Sequence, residues 1–405
     1  MQPQVGLKTS LKTLRIVPDD ADIMRFTKIG GLEGARSLIE QRLASPLDVN
    51  ANWNVPVLSY AVQGYHTGLC RLLLYEGADP CVENRSNVSA LDRAWDIVLA
   101  QNADTQTEDE IRSVFSLQYN SAWFEEQQFT TLHKIIFNAV RRDLRAELQS
   151  STSMINQQDS EGRTPLIWAS ARGDEGSVRI LLEFGADPNI SCATGNSPLL
   201  RSVRAKSPRC IRLLLAHGAY VLWKSTLGFT ALHYAAYYKD DEDYLTPLLD
   251  DGLPIDEKDN YGWTALAATA EYDHVSSANV LLQRGADIET RDKNGWTPLL
   301  RAVNSNSQRV LKLLLEQKAN NHAASFRGET ILHCAAGKGD YDTLEILSAV
   351  TLEDLDVDLK NEKDQRAEDL MKFRNSQFPQ LVAAFNSLIG GLRPQAVTKR
   401  DNFVS

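Results

Sequence analysis

The sequence has few cysteines and none of the spacings expected of a disulfide framework or a zinc site. Five of its 405 residues are cysteines, and no two form a C-x-x-C pair: Cys70, Cys81, Cys192, Cys210 and Cys334. An odd number of scattered cysteines is typical of a reducing compartment. We therefore expect a cytoplasmic or nuclear protein that binds no metal.

Long apolar runs and excess positive charge are also missing. No apolar stretch approaches the ~18 residues of a membrane span, and the N-terminus lacks the apolar core of a signal peptide, so we expect neither a membrane partner nor secretion. Lys and Arg number 43 against 53 Asp and Glu, which gives a net charge of −10. Such an acidic chain lacks the basic surface that nucleic-acid binding needs. Lys8, Lys12 and Arg15 are expected to lie in a solvated N-terminal tail.

The common catalytic motifs are absent from the sequence as well. It has no phosphate-binding loop, no dinucleotide-binding glycine motif, no His-Glu-x-x-His and no Gly-x-Ser-x-Gly. We therefore expect no cofactor and no catalytic residues.

Internal repeats of about 33 residues are the main feature that is present. A motif of the form Gly-x-Thr/Ser-x-Leu recurs with glycines at 162, 195, 228, 262, 295 and 328, spaced 33, 33, 34, 33 and 33 residues apart. A second motif, Leu-Leu-x-x-Gly, follows in step, as at 181–185 and 281–285. Two motifs that share one period indicate a repeat architecture.

Each repeat encodes two short helices and a turn. The glycine permits a positive φ, and the Thr or Ser hydroxyl can cap the exposed amides of the helix that follows. Pro165, Pro198 and Pro298 suit the first helical turn, where a missing N–H loses no partner. Asp259 and Asp292, three residues before their glycines, are expected to accept hydrogen bonds from backbone amides in the turn.

The segments Gly228-Phe-Thr-Ala-Leu-His-Tyr-Ala235 and Gly295-Trp-Thr-Pro-Leu-Leu-Arg-Ala302 resemble the Thr-Pro-Leu-His-x-Ala-Ala signature of the ankyrin repeat family. The resemblance implies an all-α fold, an ankyrin-repeat solenoid of stacked helix–turn–helix units with β-hairpin loops and about ten units including degenerate caps. It implies structural roles, within and between repeats, for His133, His233 and His333. The run from Val17 to Phe26 resembles ankyrin repeat proteins of filamentous fungi.

The quality of the repeats divides the chain into predicted regions. These are an N-terminal arm at 1–18, degenerate N-terminal ankyrin units at 19–124 with an insertion near 101–121, the ankyrin repeat array at 125–360, a degenerate C-terminal cap at 361–389 and a flexible tail at 390–405. The insertion is polar and acidic and has little apolar surface to bury. Limited proteolysis is therefore expected to cut there first.

The resemblance also assigns the positions that vary for recognition in this family, in a concave groove. In the repeats between 225 and 328 these positions are rich in aromatic residues: Phe229, Tyr237, Tyr238, Tyr261, Trp263, Tyr272, Trp296 and Phe326. Glu271 and Lys293 are charged residues of the same groove. Aromatic side chains concentrated on one surface are typical of binding hot spots, although rings that stack on each other to stiffen the array would give the same pattern.

We therefore predict a monomeric, non-catalytic protein-protein interaction module that binds a protein partner through this groove. The alternative is a fungal metabolite-pathway protein that binds or acts on a small hydrophobic substrate there, with Glu271, Tyr237, Tyr238 or Tyr272 as acid–base groups. A groove walled on both sides would favour the small ligand, and an open groove would favour a protein. Trp263 and Trp296 are expected to project side by side as exposed anchors, so that replacing either with alanine changes stability by no more than about 1 kcal/mol.

Overall fold

The structure is a computed structural model. It describes residues 14–18, 21–51, 54–82, 84, 89–100, 104–115, 124–125, 127–350, 352, 355–374 and 379–392. These residues fall into two compact units, Met1–Ser160 and Glu161–Ser405. Within the described residues the chain forms 22 helices and two short strands, which confirms the mostly helical fold.

Unit 1 contains the two strands and eight of the helices. Its elements are β1 Arg15–Val17, α1 Asp22–Ile29, α2 Leu32–Glu40, β2 Asp48–Asn50, α3 Val57–Gln63, α4 Thr67–Tyr75, α5 Ala90–Ala100, α6 Thr105–Val114, α7 Thr131–Ile136 and α8 Leu144–Ser150. Helices α1, α3 and α5 pack side by side in one layer, and α2, α4 and α6 pack in a second layer. This is the stacking expected of consecutive helix pairs.

Unit 2 repeats the same two-layer arrangement more regularly. Its helices are α9 Pro165–Arg172, α10 Glu175–Glu183, α11 Pro198–Ser202, α12 Arg209–Ala216, α13 Ala231–Tyr238, α14 Glu242–Asp250, α15 Ala265–Tyr272, α16 Val275–Gln283, α17 Pro298–Ser305, α18 Gln308–Glu316, α19 Ile331–Lys338, α20 Tyr341–Ala349, α21 Ala367–Arg374 and α22 Pro379–Leu392. The odd-numbered helices from α9 to α21 stack on one another, and so do the even-numbered helices from α10 to α22. Leucine and alanine side chains between the two layers form the buried core.

The N-terminal region differs from the sequence expectation at Arg15. Strand β1 pairs in parallel with β2, and Arg15 donates to both carboxylate oxygens of Asp48, at 2.7 and 2.6 Å. The Asp48 side chain is fully buried. The prediction that Arg15 lies in a solvated tail is therefore wrong, because the strand pairing places its guanidinium beside a buried carboxylate. Lys8 and Lys12 lie outside the described residues.

The polar segment 101–121 contains helix α6. Asp104 caps this helix by accepting the Thr107 amide, and Glu110 accepts the hydroxyl of Thr67 on α4. Ile111 is buried where α6 packs against α4 and α5. The segment therefore buries more apolar surface than its composition indicates. That limited proteolysis cuts there first stays a prediction. Residues 101–103 and 116–121 lie outside the described part.

The C-terminal region of unit 2 ends in a longer helix than the repeat pattern indicates. Helix α22 continues to Leu392, past the predicted end of the cap at 389. Phe385 and Ile389 of this helix are buried. The remainder of the predicted tail, 393–405, lies outside the described residues.

Candidate functional site

The hairpin turns that precede the inner helices of unit 2 position the aromatic residues. Gly262 has a φ of +83°, and a Cβ atom there would lie 2.8 Å from the backbone nitrogen of Lys293 in the next hairpin. Only glycine accommodates both the left-handed backbone and this close approach. The Lys293 amide donates to the Tyr261 carbonyl at 3.1 Å, so that neighbouring hairpins are joined.

Aspartates hold each hairpin closed, as the sequence predicts. Asp259 Oδ1 accepts hydrogen bonds from the amides of Tyr261 and Trp263, both at 2.8 Å. In the next repeat, Asp292 Oδ1 accepts from the amides of Asn294 and Trp296, at 2.8 and 2.9 Å. The backbone that carries each indole is therefore fixed by a carboxylate of its own turn.

His233 links one repeat to the next. Its Nδ1 accepts the Thr230 amide at 3.2 Å, which leaves the proton on Nε2, and Nε2 donates to the Trp263 carbonyl at 3.0 Å. Burial lowers the pKa of His233 and keeps the ring neutral. His133 and His333 occupy the same capping box with their own threonines. The predicted structural role of these three histidines is confirmed.

Side chains from three successive repeats of unit 2 surround a cavity of about 660 Å³, which we call the aromatic cleft. Seven of the predicted groove residues line it: Phe229, Tyr237, Tyr261, Trp263, Tyr272, Lys293 and Trp296. The cleft is also lined by His233 and Asp259, to which the sequence analysis gives structural roles, and by Ala268, Asn294, Arg301 and Asn304, which are not among the predicted site residues. Phe229 and Trp296, 67 positions apart along the chain, therefore contribute to one surface through hairpins of the same kind.

The other three predicted residues lie near the cleft but do not line it. Tyr238 has its ring centroid 4.6 Å from that of Tyr237. Glu271 accepts a hydrogen bond from Arg301 at 3.2 Å. Phe326 is 71% exposed, and its amide donates to the Asn294 carbonyl.

At one end of the cleft, the two indoles hold a cation between them. The guanidinium carbon of Arg301 lies 3.6 Å from the ring centroid of Trp263 and 5.9 Å from that of Trp296. The same guanidinium forms ion pairs with Asp292 and Glu271. Both indoles are half-buried, so they are not the freely exposed anchors that the sequence predicts. Arg301 stands at the variable position of the ankyrin signature, one repeat after the tryptophan at 263, and an arginine there is the signal that could have revealed this arrangement.

At the other end, tyrosine rings pack on one another. The ring centroids of Tyr237 and Tyr272 are 4.3 Å apart. Burial raises the pKa of both tyrosines, and the contact between them raises that of Tyr272 further. Both hydroxyls are therefore protonated near neutral pH and can donate but cannot abstract a proton.

No set of three or more His, Cys, Asp or Glu side chains among the described residues is arranged to hold a metal ion. In the same part of the chain, no helix has the length and apolar character needed to cross a membrane.

Comparison with protein families agrees with this architecture. The family model for ankyrin repeats matches residues 132–222, 221–292 and 287–361, which together span more than half of the chain. The chain belongs to the ankyrin repeat family. Ankyrin repeats are generally protein–protein interaction modules and are typically non-catalytic. The resemblance to fungal proteins stays a prediction.

Several ankyrin-containing proteins are similar to this chain over part of their length. A putative ankyrin repeat-containing protein of Treponema pallidum is 27% identical over 173 residues, covering 42% of this chain and 53% of that protein. A transient receptor potential cation channel subfamily A member 1 homolog of Caenorhabditis elegans is 27% identical over 39% of this chain and 13% of its own length. The human DNA-binding protein RFXANK is 39% identical over 17% of this chain and 26% of its own length. The chain thus spans at most about half of these relatives.

Two solved ankyrin repeat domains are similar to the chain as well. The domain of Bcl-3 is 28% identical with a TM-score of 0.47, covering 56% of this chain and all of that domain. The domain of human ASB11 is 21% identical with a TM-score of 0.49, covering 56% of this chain and 98% of that domain.

Proposed function

We propose that the chain is a non-catalytic binding module whose aromatic cleft receives a segment of a protein partner. The observation that supports this most directly is the convergence of six large aromatic side chains from three repeats: Phe229, Tyr237, Tyr261, Trp263, Tyr272 and Trp296. Tyr and Trp bury large areas while immobilising few rotatable bonds, which suits them to be binding anchors.

The polarity of the cleft indicates what the partner offers. Asp259, Lys293 and Arg301 line the cleft, and the charge of Arg301 is balanced by Asp292 and Glu271 outside the lining. A partner with mixed or basic character would complement these groups and the net charge of −10. Charge complementarity would increase the association rate, and the rings would supply the affinity.

The cytoplasm or nucleus is the compartment we propose for this activity, with the chain acting as a monomer. Four of the five cysteines, Cys70, Cys192, Cys210 and Cys334, are free thiols buried in the fold. Free thiols are the usual state in a reducing compartment.

A double variant, Trp263→Ala/Trp296→Ala, tests the cleft as the binding surface. Partners are captured from the native cell with the wild type, the double variant and Tyr341→Ala, which removes an exposed ring outside the cleft. A partner lost only with the double variant is then purified and its affinity measured by calorimetry. We expect a loss of at least about 30-fold, because hot-spot truncations cost about 2 kcal/mol or more. Equal binding of all three proteins would contradict the proposal, provided that thermal unfolding shows the variants to be folded.

The alternative, a small hydrophobic substrate, is supported by the size of the cleft. A volume of about 660 Å³ lies within the range of small-molecule pockets. The candidate acid–base groups fit catalysis poorly, however, because Tyr237 and Tyr272 have raised pKa values and Glu271 is paired with Arg301. Native mass spectrometry of the protein purified from its source would reveal a small occupant as a defined mass increment that is lost with the double variant.

A further inference from the structure

Two successive repeats share the Asp, Gly and Trp of their hairpins but differ in the helix that follows. Asp259, Gly262 and Trp263 correspond to Asp292, Gly295 and Trp296, each pair 33 residues apart. The sixth residue after the glycine is Arg301 in the second repeat and Ala268 in the first. Both residues line the aromatic cleft.

The surroundings of Arg301 show what this position binds. Its guanidinium pairs with Asp292 of its own hairpin and lies over Trp263, the ring of the preceding hairpin. Trp296 and Glu271 complete its contacts. A planar cation between aromatic faces and carboxylates is the arrangement for which arginine is best suited.

The same positions surround Ala268 one repeat earlier. Asp259 corresponds to Asp292, Phe229 to Trp263, Trp263 to Trp296 and Tyr237 to Glu271, and all of them line the cleft. Ala268 has no side chain that reaches Asp259. Asp259 is 94% buried, its exposed fraction being 6%, and within the described residues its Oδ2 atom has no hydrogen-bond partner. A buried acceptor without a partner carries an energetic penalty that a ligand can relieve.

We propose that Phe229, Tyr237, Asp259, Trp263 and Ala268 form an arginine subsite, which takes the guanidinium of an arginine side chain from the partner. The partner's arginine would occupy the place that Arg301 occupies in the following repeat, stacked on Phe229 and paired with Asp259 Oδ2. This inference rests on the proposed function and names the side chain that the cleft recognises.

Supplying the arginine from the chain itself tests the subsite without any partner. Ala268→Arg should raise the thermal unfolding midpoint by about 2 to 4 °C, whereas Ala268→Gln, a neutral long side chain, should not. Asp259→Asn keeps the Oδ1 acceptor of the hairpin and removes the charge, so it should abolish the gain from Ala268→Arg. A midpoint for Ala268→Arg equal to or below that of Ala268→Gln would overturn the subsite.

Peptide selection tests recognition directly and stays informative if Ala268→Arg does not fold. A randomised peptide display library is selected on the wild type, and the peptides obtained are measured against Asp259→Asn, Ala268→Arg and Trp263→Ala. We expect an arginine at one fixed position, and at least a tenfold loss of affinity with Asp259→Asn or when that arginine is replaced by citrulline, its neutral isostere.

The outcomes separate this inference from the proposed function. Peptides that need Trp263 but contain no fixed arginine, and that bind Asp259→Asn as well as the wild type, would overturn the arginine subsite and leave the binding cleft supported. Peptides that share a lysine rather than an arginine at one position would overturn the arginine subsite in the same way. Selected peptides that all bind Trp263→Ala as well as the wild type would contradict both.

Discussion

The indole end of the aromatic cleft and its tyrosine end hold their rings by different forces. At the indole end, Trp263 and Trp296 enclose the guanidinium of Arg301, which is itself paired with two carboxylates. At the tyrosine end, the rings of Tyr237 and Tyr272 contact each other. The indole end therefore depends on a buried charge, whereas the tyrosine end depends on contacts between individual rings. Aromatic enrichment in a sequence does not distinguish the two.

The comparison predicts that replacing Arg301 will reduce the stability of the protein more than any other change considered below. Arg301→Ala would leave Asp292, whose side chain is 2% exposed, without its cationic partner and both indoles without the group between them. Removing one member of a buried ion pair costs about 3 to 5 kcal/mol. We expect urea unfolding to show a fall in the free energy of unfolding near the lower of these values, because Asp292 keeps its two backbone hydrogen-bond donors.

The control is Arg284→Ala, which breaks the exposed pair with Asp250. Exposed pairs contribute at most about 1 kcal/mol. Similar losses for the two variants would show that the charge at the indole end is not special.

The two tryptophans should differ in their contribution to stability. Trp263 lies 3.6 Å from the Arg301 guanidinium carbon and Trp296 lies 5.9 Å from it. We expect Trp263→Ala to cost about 2 kcal/mol and Trp296→Ala about 1 kcal/mol, because a desolvated cation–π contact can add ~2 kcal/mol. Combining Trp263→Ala with Arg301→Ala should give less than the sum of the single losses. If the two losses of stability simply add, Trp263 and Arg301 stabilise the protein independently of each other.

The smallest effect is expected at the tyrosine end. Tyr272→Phe keeps the ring contact with Tyr237 and removes only a hydroxyl, so near pH 7 we expect the free energy of unfolding to fall by less than about 1 kcal/mol. In the folded protein the pKa of Tyr272 is raised, so the unfolded chain loses this proton first and stability falls as the pH rises above about 10. Tyr272→Phe should make that fall shallower. An unchanged slope between pH 9 and 11 would show that the pKa of Tyr272 is not raised in the folded protein.

The sequence was most informative where the repeat dictates backbone chemistry. Local sequence determines three features of each repeat, because the residues involved are close together in the chain. These are the helix starts at Thr230 and Thr264, the glycine turns, and the hydrogen bonds of Asp259 to its own hairpin. The convergence of Phe229 and Trp296 also follows, because a fixed period places equivalent residues side by side.

The contacts that the sequence did not reveal depend on the direction of a side chain or on pairing between residues far apart in the chain. Arg301 occupies the variable position of the motif, which does not fix the contacts of its side chain, and only the structure shows its guanidinium beside two indoles from neighbouring hairpins. Strand β1 pairs with β2 across a separation of 33 residues, and three residues are too few to give an alternating pattern. Whether a ring is exposed or shared with a neighbour likewise depends on packing rather than spacing.

The bridge from His233 to Trp263 has a consequence for the behaviour of unit 2 in acid. A proton on Nδ1 would meet the Thr230 amide, which that nitrogen must accept, so only the neutral ring closes the cap and the junction together. Since burial lowers the pKa of His233, the stability it contributes is full above about 6.5 and declines as the pH falls below that value. The junction crossed by this bridge runs through the cleft, between Phe229 on one side and Trp263 on the other. Mild acid should therefore lower the free energy of unfolding of unit 2, because the imidazole takes up its proton in the unfolded chain before it does so in the folded bridge.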